Sequence, residues 1–341
     1  VLISFLLTPF VKKWAEKVGA MDIPKDSRRV HKIPTPRLGG LAIYFSFVIS
    51  VVALGQKSKK LFGVLIGATI IVIMGYFDDI KPLSAKFKFF IQVLAAILVI
   101  SYGIKIDVVT NPLYFINDDR WISLGMWSYP ITVLWIVGVT NAINLIDGLD
   151  GLAAGVSTIA STTLFIVALF TTPSQPVIAM LALLLAGSTA GFLPYNFNPA
   201  KIFMGDTGAL FLGFMLSVIS IMGVLKSAAA LAILVPVVAI GFPIFDTLFA
   251  MVRRVANGKS MMEPDKGHMH HRLLDKGLSQ KQAVLTLYSI SAVLGISAVA
   301  IVEEKLKLAF WLVVAVFLLV SMGARYLDLI GIKHGENKAD I

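Results

Sequence analysis

Where the apolar run WIVGVT ends, the chain reads NAINLIDGLDG, which places Asn141, Asn144, Asp147 and Asp150 at the join of two hydrophobic stretches. Capping a helix takes one such residue; four, interleaved with Gly148 and Gly151, exceed that need. At about 100° per residue, positions spaced by three drift around a helix. Their side chains therefore converge only where the helix breaks, and the glycines permit a break. Amide and carboxylate oxygens gathered there suit a hard cation, or a ribose and a base edge.

Four more polar clusters interrupt the apolar sequence. MGYFDDIKPLSAK closes one run with Asp78 and Asp79, followed by Lys81, Lys86 and Lys88. Acids at a helix C-terminus oppose the macrodipole, so they are either solvated surface charge or are kept there as a base or beside a cation. IFMGDTGALFLG puts Asp206 just ahead of another run. Asp206 or Thr207 could cap that helix, and a carboxylate beside free backbone N–H groups also describes an anion and metal site. The preceding YNFNPAK adds Asn196, Asn198 and Lys201.

DKGHMHHRLLDKG supplies His268, His270, His271 and Arg272. The histidine spacing is compatible with zinc, but there is no HExxH pattern and no cysteine, whereas imidazolium and guanidinium groups both donate to phosphate oxygens. RRVHKIPTPRLGG makes Lys32 and Arg37 candidate phosphate ligands, unless its charge only marks a cytoplasmic loop. Asp246 lies inside an apolar stretch after Pro243, where an acid needs a partner.

The elements that must position these residues are hydrophobic throughout. Of 341 residues, 57% are hydrophobic and 15% charged, with a mean hydropathy of +0.84; a soluble domain is nearer a quarter charged. Apolar stretches long enough to cross about 30 Å of hydrocarbon recur along the chain. They predict an all-α polytopic integral membrane protein with about eleven transmembrane helices. These fall near 1–11, 38–54, 61–77, 87–104, 124–140, 151–170, 177–193, 208–225, 227–251, 283–302 and 306–325, in a single domain over 1–341. The first stretch has no basic region or small-residue cleavage site of a secretory signal. With no cysteine, disulfides, thiolate catalysis and thiolate metal clusters are excluded.

Alternate loops carry 22 and 8 of the 30 basic residues. That bias predicts a cytoplasmic C-terminus and an external N-terminus. It also explains the net charge of +10 without nucleic acid. All five clusters fall on the cytoplasmic side, so the active site is expected in cytoplasmic loops and helix ends. Several hard oxygen ligands imply Mg2+, with Mn2+ as a substitute; excess positive charge implies a multiply phosphorylated substrate. At a membrane face, this suggests phosphoryl-group transfer from a water-soluble donor to a lipid acceptor.

GYFDDIKPLSAK, NAINLIDGLDGLAAG, IFMGDTGALFLG and DKGHMHHRL, in this order, resemble the polyprenyl-phosphate N-acetylhexosamine-1-phosphate transferase superfamily (glycosyltransferase family 4). Resemblance extends over about residues 8–326, and HMHH with RRVHKIPTPRLGG is most similar to the bacterial branch that transfers GlcNAc-1-phosphate. It implies a Mg2+-dependent enzyme of the bacterial cytoplasmic membrane that converts UDP-GlcNAc and undecaprenyl phosphate into undecaprenyl-pyrophosphoryl-GlcNAc and UMP, initiating a cell-envelope glycan such as lipopolysaccharide or teichoic acid. A homodimer is also implied.

By that resemblance Asp206 binds metal, with Asn144 its companion at the pyrophosphate. Asp78 and Asp79 form the acidic pair that deprotonates or orients the lipid phosphate. Asn141, Asp147, Asp150, Asn198 and Lys32 fall to nucleotide and substrate binding. His270, His271 and Arg272 fall to the diphosphate and sugar, and His268 to catalysis. Either the lipid phosphate attacks directly, or Asp78 or Asp79 forms a covalent intermediate. The phospho-N-acetylmuramoyl-pentapeptide transferases are the alternative within the superfamily. An ion-coupled transporter is a remote alternative, disfavoured because the polar clusters share one face and no repeat pair is present.

Overall fold

A computed structural model describes residues 1–23, 34–55, 58–110, 121–170, 174–224, 234–256 and 268–302, with Trp311 and Val314 beyond them. Twelve α-helices make up most of the described chain. They are α1 (Leu2–Val18), α2 (Gly40–Ala53), α3 (Lys59–Ile80), α4 (Ala85–Ser101), α5 (Ser128–Ile146), α6 (Leu152–Phe170), α7 (Pro176–Asn196), α8 (Gly205–Val224), α9 (Leu234–Ala239), α10 (Gly241–Ala256), α11 (Met269–Asp275) and α12 (Gln280–Val302). Two short antiparallel ladders accompany them. β1 (Met21–Asp22) pairs with β2 (Thr35–Pro36), with Met21 opposite Pro36, and β3 (Val108–Thr110) pairs with β4 (Trp121–Ser123), with Val109 opposite Ile122.

Among the described residues, six helical stretches are long and apolar enough to cross a membrane: Lys59–Ile80, Gly125–Ile146, Leu152–Phe170, Pro176–Asn196, Gly205–Gly223 and Gln280–Val302. This is fewer than the eleven spans expected. α1, α2 and α4 form at the expected places but are short, and 306–325 lies almost wholly outside the described residues. The stretch expected as one span over 227–251 is corrected: its described part is two helices that meet at Ile240. Gly241 and Pro243 favour the break, since proline removes a helical donor and clashes with the preceding turn. The second piece, α10, also turns a polar face inward. Asp246, Thr247, Arg253 and Arg254 are buried, whereas Phe245, Leu248, Val252 and Val255 are exposed.

α8 is the axis of the bundle. Phe211, Phe214, Leu212, Met215 and Leu216 are all fully buried, and the helix packs against α2, α3, α5, α6 and α7. Small residues allow its closest approaches. Gly40 of α2 lies against Gly208 with no room for a side chain on either backbone, and Gly75 of α3 abuts the backbone of Thr207. Close contact through glycine is how helices associate where lipid leaves little hydrophobic driving force. Several hydroxyls inside the bundle return to their own helix: Thr132, Thr140 and Thr189 donate to carbonyls one turn back. No water is needed to satisfy them.

The C-terminal ends of α3, α5 and α7 and the N-terminal ends of α8 and α12 gather at one end of this bundle, where a polar cleft opens.

Candidate active site

α3 ends with Asp78 and Asp79 both buried, and the two carboxylates do different work. Asp79 Oδ1 accepts the Asp206 N–H at 2.9 Å, and Oδ2 accepts the Thr207 N–H at 3.0 Å and the Thr207 hydroxyl at 2.6 Å. Arg37 adds its Nε and a terminal nitrogen to Oδ1, at 3.1 and 3.0 Å. Asp79 therefore caps α8 from a neighbouring helix, and its side chain is fully enclosed. Gly205, at φ +68°, makes the approach possible: a β-carbon there would strike the Asp79 carboxylate and the Arg37 carbonyl.

Asp78 instead joins a charge cluster that reaches the cleft through Asp206 and Asn144. Its Oδ1 accepts the Leu83 N–H at 2.7 Å, and its Oδ2 lies 3.1 Å from Lys88 Nζ. The same ammonium is 2.8 Å from Asp206 Oδ2, and Asn144 donates its amide to Asp206 Oδ1 at 3.2 Å. Residues from α3, α4, α5 and α8 thus meet around Asp206.

The turn after α5 is the second wall. Asp147 ends the helix, and Gly151, at φ +79°, reverses the chain into α6. Its carbonyl accepts the Tyr288 hydroxyl from α12, while Gly155 admits the Tyr288 ring, which a β-carbon would strike. Asp150 Oδ2 accepts Asn198 Nδ2 at 2.9 Å and the Ala200 N–H at 3.0 Å, and Asn198 also donates to Gln280 at 2.6 Å.

A cleft of about 430 Å³ lies between these walls, lined by residues that include Arg37, Asn144, Asp147, Asp150, Asp206 and His271. Asp147 keeps some surface toward the cleft but sits deep among protein atoms. Loss of hydration, then the charges of Asp206 and Asp79, push its carboxyl up to about 7.

Across from this turn, α11 carries the histidines. His268 Nδ1 is 2.8 Å from Asp246 Oδ2, and His270 stacks parallel to it with ring centroids 5.8 Å apart. His270 is buried over Gly148, where a β-carbon would meet its ring. Burial, with His271 next to it, drives its basicity down to about 3.

The sequence-based site residues are thus mostly brought together. Asn144, Asp147, Asp150, Asp206 and His271 line the cleft, Asp78 and Asp79 stand at its α8 edge, and Asn198 braces Asp150. Asn141 faces elsewhere: it pairs with Gln92 between α4 and α5 and donates to the Val137 carbonyl at 2.8 Å. Asp78, Asp79, Asn198, His268, His270 and Arg272 are not among the lining residues. Lys32 lies outside the described residues. Asp22, Asn196 and Gln280 also line the cleft; Asp22 and Gln280 stand in no motif, and only their place at element ends hints at it.

Among the described residues no three acids or histidines gather into a metal site, and the oxygens around Asp206 are those that could hold a hard divalent cation. Two carboxylates, Asp78 and Asp206, already converge on one positive charge, the Lys88 ammonium, with an amide at Asn144 beside them. Mg2+ favours such oxygen-only partners.

Fold and site define a helical membrane protein with an acid- and base-lined cleft at one end of its bundle. The family model described as "Glycosyl transferase family 4" matches residues 61–224. A probable undecaprenyl-phosphate N-acetylglucosaminyl 1-phosphate transferase from Bacillus subtilis is 44% identical over 97% of this chain and 91% of its own length. A decaprenyl-phosphate N-acetylglucosaminephosphotransferase from Mycobacterium leprae is 36% identical, covering 84% and 78%. A phospho-N-acetylmuramoyl-pentapeptide-transferase from Oceanobacillus iheyensis is 32% identical, covering 86% and 94%. The chain belongs to glycosyl transferase family 4.

Proposed function

We propose that the protein transfers GlcNAc-1-phosphate from UDP-GlcNAc to undecaprenyl phosphate, releasing UMP. The observation that carries this reading is the meeting of Asp78, Lys88 and Asn144 around Asp206, which lines the cleft. The identities of the relatives support it, since they are higher for the GlcNAc-phosphate enzymes than for the pentapeptide enzyme. The excess of basic residues in the loops on the cleft side supports a cytoplasmic face for the site.

The reaction joins an oxygen of the lipid phosphate to the β-phosphorus of the sugar nucleotide and breaks that phosphorus's bond to the bridging oxygen, which leaves on UMP. Asp78, hydrogen-bonded through only one oxygen to backbone, takes the proton of the lipid phosphate at Oδ2 when Lys88 moves to the phosphate. Asp79 has no such freedom, because four donor groups hold it, and it serves to fix Asp206. Arg37 and His271 line the cleft as donors to diphosphate oxygens. Asp147 and Asp150 face the nucleotide on the opposite wall. Asp206 and Asn144 would hold Mg2+, which would neutralise charge on the diphosphate.

The test is UMP release by purified protein supplied with undecaprenyl phosphate, Mg2+ and either UDP-GlcNAc or UDP-MurNAc-pentapeptide. Release with UDP-GlcNAc is expected. Turnover of the pentapeptide nucleotide alone, or of neither, would overturn the reading.

A further inference from the structure

Two buried residues outside the cleft are left without a role by this reaction. Asp246 and His268 are 3% and 5% exposed, and neither lines the cleft. Asp246 uses both oxygens on the start of α11: Oδ2 meets His268 Nδ1 at 2.8 Å and Oδ1 accepts the Met269 N–H at 2.8 Å. An acid on α10 thus holds the first turn of α11 at two points. His268 in turn stacks on His270, the two rings only 11° from parallel, and His270 contacts His271 with centroids 4.3 Å apart. His271 lines the cleft, and His270 rests on Gly148 within the Asp147–Asp150 turn. Among the described residues neither ring nitrogen of His270 has a hydrogen-bond partner. Its position is therefore set by packing between His268 and the turn.

We propose that Asp246 and His268 form a latch that seats α11 over the cleft, and that they act on the nucleotide site only through His270 and His271. Both are positioning residues. His268 touches no reacting atom, despite its place in the histidine motif. A carboxylate that fixes a ring through one nitrogen orients that ring and the side chains packed on it, as outer-shell acids do for other functional histidines. Because α10 is also the helix that turns its polar face inward, the latch explains why an acid sits on that face at all.

The proposal rests on the transferase reading, so its test has one arm independent of activity. In detergent, amide exchange is compared for wild type, Asp246→Asn and His268→Gln. The latch predicts faster exchange at 268–275 together with faster exchange at 146–151, while 205–210 stays as in wild type. Loosening that leaves 146–151 unchanged would overturn it. The second arm is kinetic. Asp246→Asn is expected to raise KM for UDP-GlcNAc roughly tenfold or more, the scale on which removal of an orienting acid is felt, with kcat changed far less. His271→Ala added to Asp246→Asn should then cost little more, since both changes remove one interaction. Additive effects, or a collapse of kcat at unchanged KM in His268→Gln, would overturn the latch. Absence of any turnover by wild type would instead sink the transferase reading and leave the exchange arm standing.

Discussion

Asp79 caps a helix it does not belong to: its Oδ2 receives both the backbone N–H and the hydroxyl of Thr207, 128 residues away in the chain. Thr207 is itself fully buried, as is the Asp79 side chain. The first turn of α8, and with it Asp206, is thus located by α3 rather than by its own sequence. Asp79→Ala should leave the Arg37 charge and two N–H groups without a partner. Each buried donor left without its acceptor costs about 1–3 kcal/mol, so a large fall in thermal stability is expected along with lost turnover. A variant as stable as wild type would show that the cap is dispensable.

Asp78 is predicted to behave differently. It makes a single backbone contact and shares Lys88 with Asp206. Asp78→Asn preserves shape and the Leu83 hydrogen bond, so the melting temperature should change little while kcat falls about a hundredfold or more, the usual reach of a general base. Asp206→Ala should likewise remove Mg2+-dependent turnover from a folded protein. Near-normal turnover in either variant would remove that residue from the chemistry.

These two acids show what the sequence could reveal. Polar residues at the ends of apolar runs mark Asp78, Asp147, Asp150 and Asp206 as a group, because few other reasons keep acids there. Spacing cannot separate Asp78 from its neighbour Asp79. Their difference depends on which helix each faces, and that is decided by a contact across more than a hundred residues. Asn141 belongs to the same motif as Asn144, yet it sits one turn earlier on α5 and satisfies Gln92 inside the bundle. The break at Ile240 is hidden for a related reason: hydropathy averaged over a window cannot register that the polar side of α10 points inward. Lys88 and Arg37 are visible in the sequence only as basic residues near acids, and their partners come from other helices.

Gly75 is the tightest point between α3 and α8 that a small change can probe. A β-carbon there would lie 2.6 Å from the Thr207 Cα, against backbone that cannot rotate aside. Gly75→Ala should therefore destabilise by about 1–3 kcal/mol, as overpacking does, and shift the Asp79 cap. Gly125→Ala, with open space around it, controls for the loss of glycine, although its positive φ of 50° carries its own strain. Equal melting temperatures for Gly75→Ala and wild type would show that the helices separate freely.

Asp147 predicts a pH dependence. Its carboxyl is held neutral up to about 7 by burial and by the charges of Asp206 and Asp79. Above that it adds a negative charge facing a diphosphate. Affinity for UDP-GlcNAc, titrated in EDTA, should fall as pH rises through about 7, and Asp147→Asn should flatten the profile. Stability has the same sign. The folded state keeps a proton that an unfolded chain releases near 3.8, so this group's contribution declines between 3.8 and about 7 and is constant above. A pH-independent affinity in wild type would contradict this placement of Asp147.

Lys88 supplies the sharpest test of the cation seat. Its ammonium stands 2.8 Å from Asp206 and 3.1 Å from Asp78, where a divalent ion would compete for the same oxygens. Lys88→Met removes the competitor and leaves two carboxylates facing each other, which raises their joint attraction for a cation. Calorimetric titration with Mg2+ should therefore give a lower Kd than wild type. Turnover should nevertheless fall about a hundredfold, the scale expected when one donor to a developing phosphate charge is lost. These opposite movements distinguish a lysine that alternates between acids and phosphate from one that only holds the acids apart. In the second case the variant would bind Mg2+ less tightly, because the carboxylates would separate once their bridge was gone.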